Sequence, residues 1–294
     1  MMIYKYLFFV LLFTLTSQHT SAQLISWSDL IEVEGLQADH RIYYGDESLQ
    51  FGDLWLPNGD ISSTVILIHG GCWLSAYPGV ELMNPMANEL RNQGFAVWNL
   101  EYRRIGHDGG GYPGTFFDVA NGADYLGVVA NEFKLDLSNL IVSGHSAGGH
   151  LATWLASRGN ITDTSPLYNP EAISVSSVIS LAGINDLERY ARYGSSSCGN
   201  NTVETLVNFN DRGVDAYLDT SPLHLLPIKV PFIEVVAAYD APVPPFFGYH
   251  FVEAMKKSGD DANLVLFPDA GHFEMIAPWS NEWKTVLDLF KSHR

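Results

Sequence analysis

The sequence predicts an α/β fold: a mostly parallel central sheet with helices on both faces and a short cap-like excursion. Three observations predict it. Short apolar runs alternate with longer helix-like segments along most of the chain. Several of those runs, Val65-Ile-Leu-Ile68 above all, are apolar without alternation, as a strand buried on both faces must be. The run Asn139-Leu-Ile-Val-Ser-Gly-His-Ser-Ala-Gly-Gly-His150 then sets a β-branched strand, a glycine-rich turn and a helix in immediate succession.

The elements follow in order. Met1 to Lys5 carries one positive charge, Tyr6 to Leu15 is almost purely apolar, and Thr20-Ser21-Ala22 ends in small residues. That order predicts a secretory signal peptide over residues 1–22, cleaved after Ala22. The apolar run is too short to span a bilayer comfortably, and no cysteine follows the cleavage point to suggest a lipoprotein anchor. An uncleaved N-terminal anchor is the alternative. Residues 23–294 are expected to form one exported domain, periplasmic or secreted, with no stable membrane association.

Strands are expected at Arg41–Tyr44 and Leu49–Leu56, with turn residues between them, and at Val65–Ile68. A helix over Val80–Gln93 stops at Gly94. Phe95–Leu100 is the next buried strand. Thr115–Phe133 reads as a helix, with Asp118 near its positive end. The strand Leu140–Val142 and the helix Leu151–Ser157 follow, then strands at Ser177–Leu181 and Phe232–Ala238. Pro244–Ser258 is helical with proline at its start, Asn263–Phe267 is the last strand, and Ser280–His293 closes the chain with Ser280 as cap. Residues 185–227 break this rhythm. They are longer than a simple crossover and rich in Gly, Ser, Asn and Tyr. They read as an excursion over the sheet's carboxyl edge, where open α/β folds bind ligands, or alternatively as a packed structural loop.

A composition 47% hydrophobic and 17% charged fits a compact globular chain with a sizeable core. The net charge of −17 repels nucleic acid and anionic membranes, so neither is an expected partner. No repeat, low-complexity tract or linker is evident. Cys72 and Cys198 lie too far apart in sequence to be paired by inspection, and neither has a Cys-x-x-Cys neighbour that would suggest zinc or redox chemistry.

Gly144-His-Ser146-Ala-Gly148, between strand and helix, is the setting of a nucleophile elbow: a serine on a tight, strained turn, flanked by small residues. A serine hydroxyl is a weak nucleophile and needs a base. The best base is His272, in Phe267-Pro-Asp-Ala-Gly-His272-Phe-Glu, after the last strand. The acid that would hold its imidazole is Asp240, directly after the strand ending near Ala238. Asp186 and Asp269 are rivals. Asp186 better suits a turn or helix cap, and Asp269 stands too close to His272 to orient it. Oxyanion donors are expected from the backbone of Ala147 and of Gly71 or Cys72, because His69-Gly70-Gly71-Cys72-Trp73 follows a strand with paired glycines. Trp73 would border the substrate. His145 and His150 stand five apart, not at the helical zinc spacing, and read as packing or hydrogen-bonding residues. The loop His107-Asp-Gly-Gly-Gly111 lacks the residues of a phosphate loop. No metal or organic cofactor is implied.

On these motifs the chain resembles the α/β-hydrolase superfamily from about Gln50 to its end. His69-Gly-Gly-Cys-Trp73, Glu101-Tyr-Arg-Arg104, Ala182-Gly-Ile-Asn-Asp-Leu187 and Ser221-Pro-Leu223 are similar to segments of its kynurenine-formamidase and small-esterase branch. The resemblance implies a serine hydrolase with the triad Ser146, Asp240 and His272, acting on a small-molecule carboxylic ester. Two glycines after His69, not three, favour a formamidase-like or feruloyl-esterase-like branch. An arylformamidase using the same triad is the alternative, and a catalytically dead hydrolase fold serving as a binding module is a second. Peptidase activity is not expected, for want of a second domain to screen substrates.

Overall fold

The computed structural model describes residues 24–193 and 195–293; the expected signal peptide lies outside them. Eight strands form one sheet in the order β1-β2-β4-β3-β5-β6-β7-β8. They are β1 (His40–Tyr43), β2 (Phe51–Trp55), β3 (Ser63–Ile68), β4 (Phe95–Leu100), β5 (Leu140–His145), β6 (Ser177–Leu181), β7 (Phe232–Ala237) and β8 (Ala262–Phe267). The first two pairings, β1 with β2 and β2 with β4, are antiparallel. Every later pairing is parallel.

The residue types explain the positions. The central strands β3, β4 and β5 are buried at every residue, and their runs are mostly apolar or β-branched, as burial on both faces requires, with Ser63, Asn99, Ser143 and His145 as buried polar exceptions. Only β1 at one edge and β8 at the other carry exposed positions. The main covering helices are α2 (Asn84–Asn92), α3 (Gly114–Phe133), α4 (Ala147–Ser157), α9 (Phe246–Ser258) and α10 (Trp283–Ser292). Their inward residues, among them Met86, Leu90, Phe116, Leu151, Trp154, Phe251 and Phe290, belong to the core built on the sheet. Asp118 lies in the first half of α3. Its main work is to accept two hydrogen bonds from the Arg103 guanidinium and one from the Arg103 N–H.

Four features depart from the expectations. A short helix, α1 (Trp27–Ile31), precedes β1. It is too short for any periodic signal, and Leu30 is its one buried residue. The helix expected at Val80–Gln93 opens as a 3-10 turn, Val80–Met83. The β5 strand runs three residues further than its β-branched core, and α4 starts at Ala147 instead of Leu151. Glycines lower helix propensity, which hid that first turn, but here packing overrides propensity. Residues 185–227 fold into α5 (Leu187–Tyr193), α6 (Ser195–Cys198), α7 (Thr202–Leu206) and α8 (Phe209–Arg212), with two 3-10 turns after them. Cys198 in this segment is disulfide-bonded to Cys72 beyond β3, with Cα atoms 5.3 Å apart. No helix among the described residues is long and apolar enough to cross a membrane.

Candidate active site

Four loops at the carboxyl ends of β3, β5, β7 and β8 meet at one cavity. The β5 loop is the tightest. Ser146 has φ +58° and ψ −118°, between the end of β5 and the first residue of α4. That left-handed φ costs a β-carbon-bearing residue about 1–3 kcal/mol. The surroundings over-determine it. The Ser146 N–H donates to the Leu181 carbonyl at the end of β6, 2.8 Å away. A β-carbon on Gly144 would stand 2.2 Å from the Gly148 carbonyl oxygen, and one on Gly148 would stand 2.1 Å from the Ile68 carbonyl oxygen. Both positions therefore need glycine for close approach of backbone to backbone.

The β7 and β8 loops supply the next pair. Asp240 follows β7, and its Oδ1 accepts the Val243 N–H at 2.7 Å. Its Oδ2 lies 2.7 Å from Nδ1 of His272. A carboxylate can only accept, so Nδ1 carries the proton and Nε2 keeps its lone pair. His272 is held from below as well. Nε2 of His145, the last residue of β5, donates to the His272 carbonyl at 2.8 Å. The two imidazoles lie 4.4 Å apart. Burial pushes the His145 pKa well below its usual value, so His145 stays neutral.

The β3 loop carries the paired glycines. Gly71, Cys72 and Trp73 all have positive φ, +100°, +52° and +55°. A β-carbon on Gly70 would lie 2.8 Å from the His145 carbonyl, so glycine lets this loop rest on the elbow. The loop is anchored underneath. His69 Nε2 donates to Glu101 Oε1 at 3.0 Å, and Tyr102 Oη donates to the His69 carbonyl at 2.9 Å. Burial alone would raise the Glu101 carboxyl. The His69 ring and Arg104 outweigh that and hold it down at about 2. The Ala147 N–H stands at the first position of α4, where a helix has no carbonyl to receive it.

Ser146, His145, Gly71, Cys72 and His272 border a cavity of about 220 Å³, together with Trp27, Tyr77, Pro78, Leu82, Ser197, Pro242 and Phe273. Asp240 sits behind His272, and Ala147 is buried beside Ser146.

One expectation needs correction. Trp73, expected to border the substrate, does not line the cavity. It is fully buried, and its Nε1 donates to His150 Nδ1 at 3.1 Å, because the left-handed backbone at 71–73 turns its ring into the core. His150 passes the link on, donating from Nε2 to the Thr220 carbonyl at 2.8 Å. Burial lowers its pKa to about 4, so it too is a neutral prop. Asp186 is apart from His272: it accepts the Arg189 N–H at 3.0 Å and caps α5. Sequence reading missed the remaining wall residues, because Tyr77, Pro78, Leu82, Ser197 and Pro242 belong to no motif. Glu274, two residues past His272, was visible in the sequence, but its partners were not.

A family model described as BD-FAE matches residues 53–254, well over half of the chain. Esterase LipC of Mycobacterium tuberculosis is 25% identical over 254 residues, which cover 80% of this chain and 60% of that protein. Kynurenine formamidase of Drosophila melanogaster is 22% identical over 84% of this chain and 78% of its own length. Among solved structures, esterase B of Lactobacillus rhamnosis, inhibited by a tributyrin phosphonate, superposes with a TM-score of 0.76 at 19% identity, covering 91% of this chain and 89% of that one. A bifunctional GH43-CE protein of Bacteroides eggerthii gives 0.67 at 25% identity, covering 86% of this chain but 37% of that one. The chain thus spans only part of LipC and of the bifunctional protein. The likeness to esterase B establishes an α/β-hydrolase fold.

Proposed function

The chain belongs to the BD-FAE family, and from that premise we propose that it is an exported carboxylic ester hydrolase working through Ser146, His272 and Asp240. The observation that carries this reading is the serine at φ +58° on a cavity that His272 also borders, with Asp240 bonded to the far nitrogen of that histidine. His272 Nε2 takes the Ser146 proton as the hydroxyl attacks the ester carbonyl. Asp240 holds the imidazole in one tautomer and stabilises its charged form. The Ala147 N–H and the Gly71–Cys72 backbone receive the oxyanion, each donor contributing about 3 kcal/mol to the transition state. His272 then protonates the leaving alcohol, and water, deprotonated by the same histidine, releases the acid from the acyl-enzyme.

The cavity's size and lining narrow the substrate. About 220 Å³ is less than the ~300–1,000 Å³ of sites for drug-sized ligands, which favours a small, partly enclosed group. Among the described residues, no Asp, Glu, Lys or Arg side chain borders it. An uncharged ester fits that wall better than a zwitterionic formylated amino acid. Export is supported by the order of the first residues and by the Cys72–Cys198 bridge, since disulfides persist in oxidising compartments.

The test is hydrolysis of short and long p-nitrophenyl esters, acetylated sugars and N-formylkynurenine by residues 23–294, beside Ser146→Ala. Ester turnover that disappears in the variant is the expected result. Full turnover by Ser146→Ala refutes the assignment, and preference for N-formylkynurenine would put the formamidase in its place. Export is checked on protein recovered outside the cytoplasm, whose N-terminus should be Gln23. An intact Met1 there would refute cleavage.

A further inference from the structure

Trp27 lies outside the residues matched by the family model, yet its ring borders the cavity. The segment that carries it is fastened to the loop of His272. Glu274, itself buried, accepts the Ile25 N–H on Oε1 at 2.7 Å and the Gly271 N–H on Oε2 at 2.9 Å. One carboxylate thereby joins the N-terminal segment to the residue just before His272. The segment is also set from its other side: Leu30 is buried in the core, and Asp29 accepts both the N–H and the hydroxyl of Ser26, closing a capping box. Trp27 is nevertheless 42% exposed, so a large aromatic ring is held half open at the cavity's edge.

The attachment fixes which part of a substrate this ring meets. The leaving alcohol must approach His272, which protonates it. The N-terminal segment is tied, through Glu274 two residues past that histidine, to Gly271 just before it. On the serine-hydrolase reading above, we propose that Trp27 is a specificity-determining residue that stacks against the alcohol part of the ester and favours a ring-bearing alcohol. Glu274 is its positioning residue. An aromatic face left half in water gains most from a partner with a broad face, a flat aryl ring or the C–H face of a glycosyl ring, and little from a methyl group.

Two ester series test this. One keeps the acetyl group and varies the alcohol through methyl, phenyl and 2-naphthyl. The other keeps the methyl alcohol and varies the acyl group through acetyl, butyryl and hexanoyl. In Trp27→Ala the preference for naphthyl over methyl acetate, as a ratio of kcat/KM values, falls about 5- to 10-fold, mainly through KM. The acyl series shifts together. Trp27→Phe keeps most of the preference and Trp27→Leu loses it, which preserves the contrast should the alanine variant fold poorly. In Glu274→Gln one of the two N–H groups loses its acceptor, and the naphthyl preference falls in the same direction. An unchanged alcohol ratio in Trp27→Ala, or a change confined to the acyl series, overturns the proposal. Ester turnover surviving in Ser146→Ala is a different failure, of the serine reading itself.

Discussion

Replacing both cysteines, Cys72→Ala with Cys198→Ala, should cost the protein about a third or more of a typical domain's stability. The bridge closes a loop between residues 126 apart in sequence. In the chain-entropy description the cross-link removes about 16 cal/mol/K from the unfolded chain, or about 5 kcal/mol at 25 °C. At roughly 2–4 °C per kcal/mol for a domain of this size, the melting temperature should fall by about 10–20 °C. Activity should fall too. Cys72 stands between Gly71 and Trp73 in a run of positive φ, and the bridge is the covalent tie from that run to α6. Loosening it misplaces the proposed oxyanion donor, worth about 3 kcal/mol, so kcat should drop by up to about 100-fold with the fold still intact at 25 °C. The assay is thermal unfolding by circular dichroism with parallel ester kinetics, after thiols are counted in denaturant. The untreated protein should show no free thiol, and two after reduction. Two thiols before reduction, or a melting temperature within about 3 °C of the parent, would refute the reasoning.

Two further outcomes follow from buried carboxyls. Asp240→Asn leaves the His272 loop in place but no longer fixes which nitrogen holds the proton, so kcat for an ester should fall about 10³–10⁴-fold with KM little changed. A fall of less than 10-fold would point to another acid. Glu234 in β7 is fully buried and accepts hydrogen bonds from the Gly183 N–H at 2.8 Å and Asn185 Nδ2 at 2.9 Å. Burial raises its pKa to about 8, against those hydrogen bonds. Its folded value is above its unfolded one, so the stability it contributes is complete below the unfolded pKa near 4.5 and is lost as pH rises through about 8. The melting temperature should therefore decline across pH 5–8, and Glu234→Gln should flatten that decline. Parallel slopes in the two proteins would sink the idea.

The elements that could be read from sequence are those where one local rule acts alone. Phe95–Leu100 is bounded correctly from sequence because an apolar run, broken only by Asn99, ends against polar Glu101 on one side and Gly94 on the other. Ser177–Leu181 was bounded correctly for a similar reason. The first turn of α4 was not, because its glycines serve backbone contact with β3 and the 183 turn and say nothing of helix. Residues 185–227 defeated pattern reading because their helices are four to seven residues long, each too short to show a period. The disulfide was unreadable for a different reason. Two cysteines have one possible pairing, but only the fold brings their Cα atoms within reach.

The site divides in the same way, between groups proposed to act and groups that hold them. Ser146, Asp240 and His272 each follow a strand in an order that strand–turn chemistry predicts. Their supports come from elsewhere: the Leu181 carbonyl under Ser146, His145 under the His272 carbonyl, Glu101 under His69, and Thr220 behind His150 and Trp73. Such separation follows from strain. A serine at φ +58° and a β3 loop with three successive positive-φ residues are unfavourable locally, so no local sequence can hold them. The stabilising bonds must come from elements that are rigid for other reasons, which here means the ends of neighbouring strands and the 185–227 segment. Burial selects the residue type for that work. Histidine offers one donor and one acceptor while neutral, and burial keeps His145 and His150 neutral. The histidines flanking the serine are thus props whose meaning lies in residues more than sixty positions away.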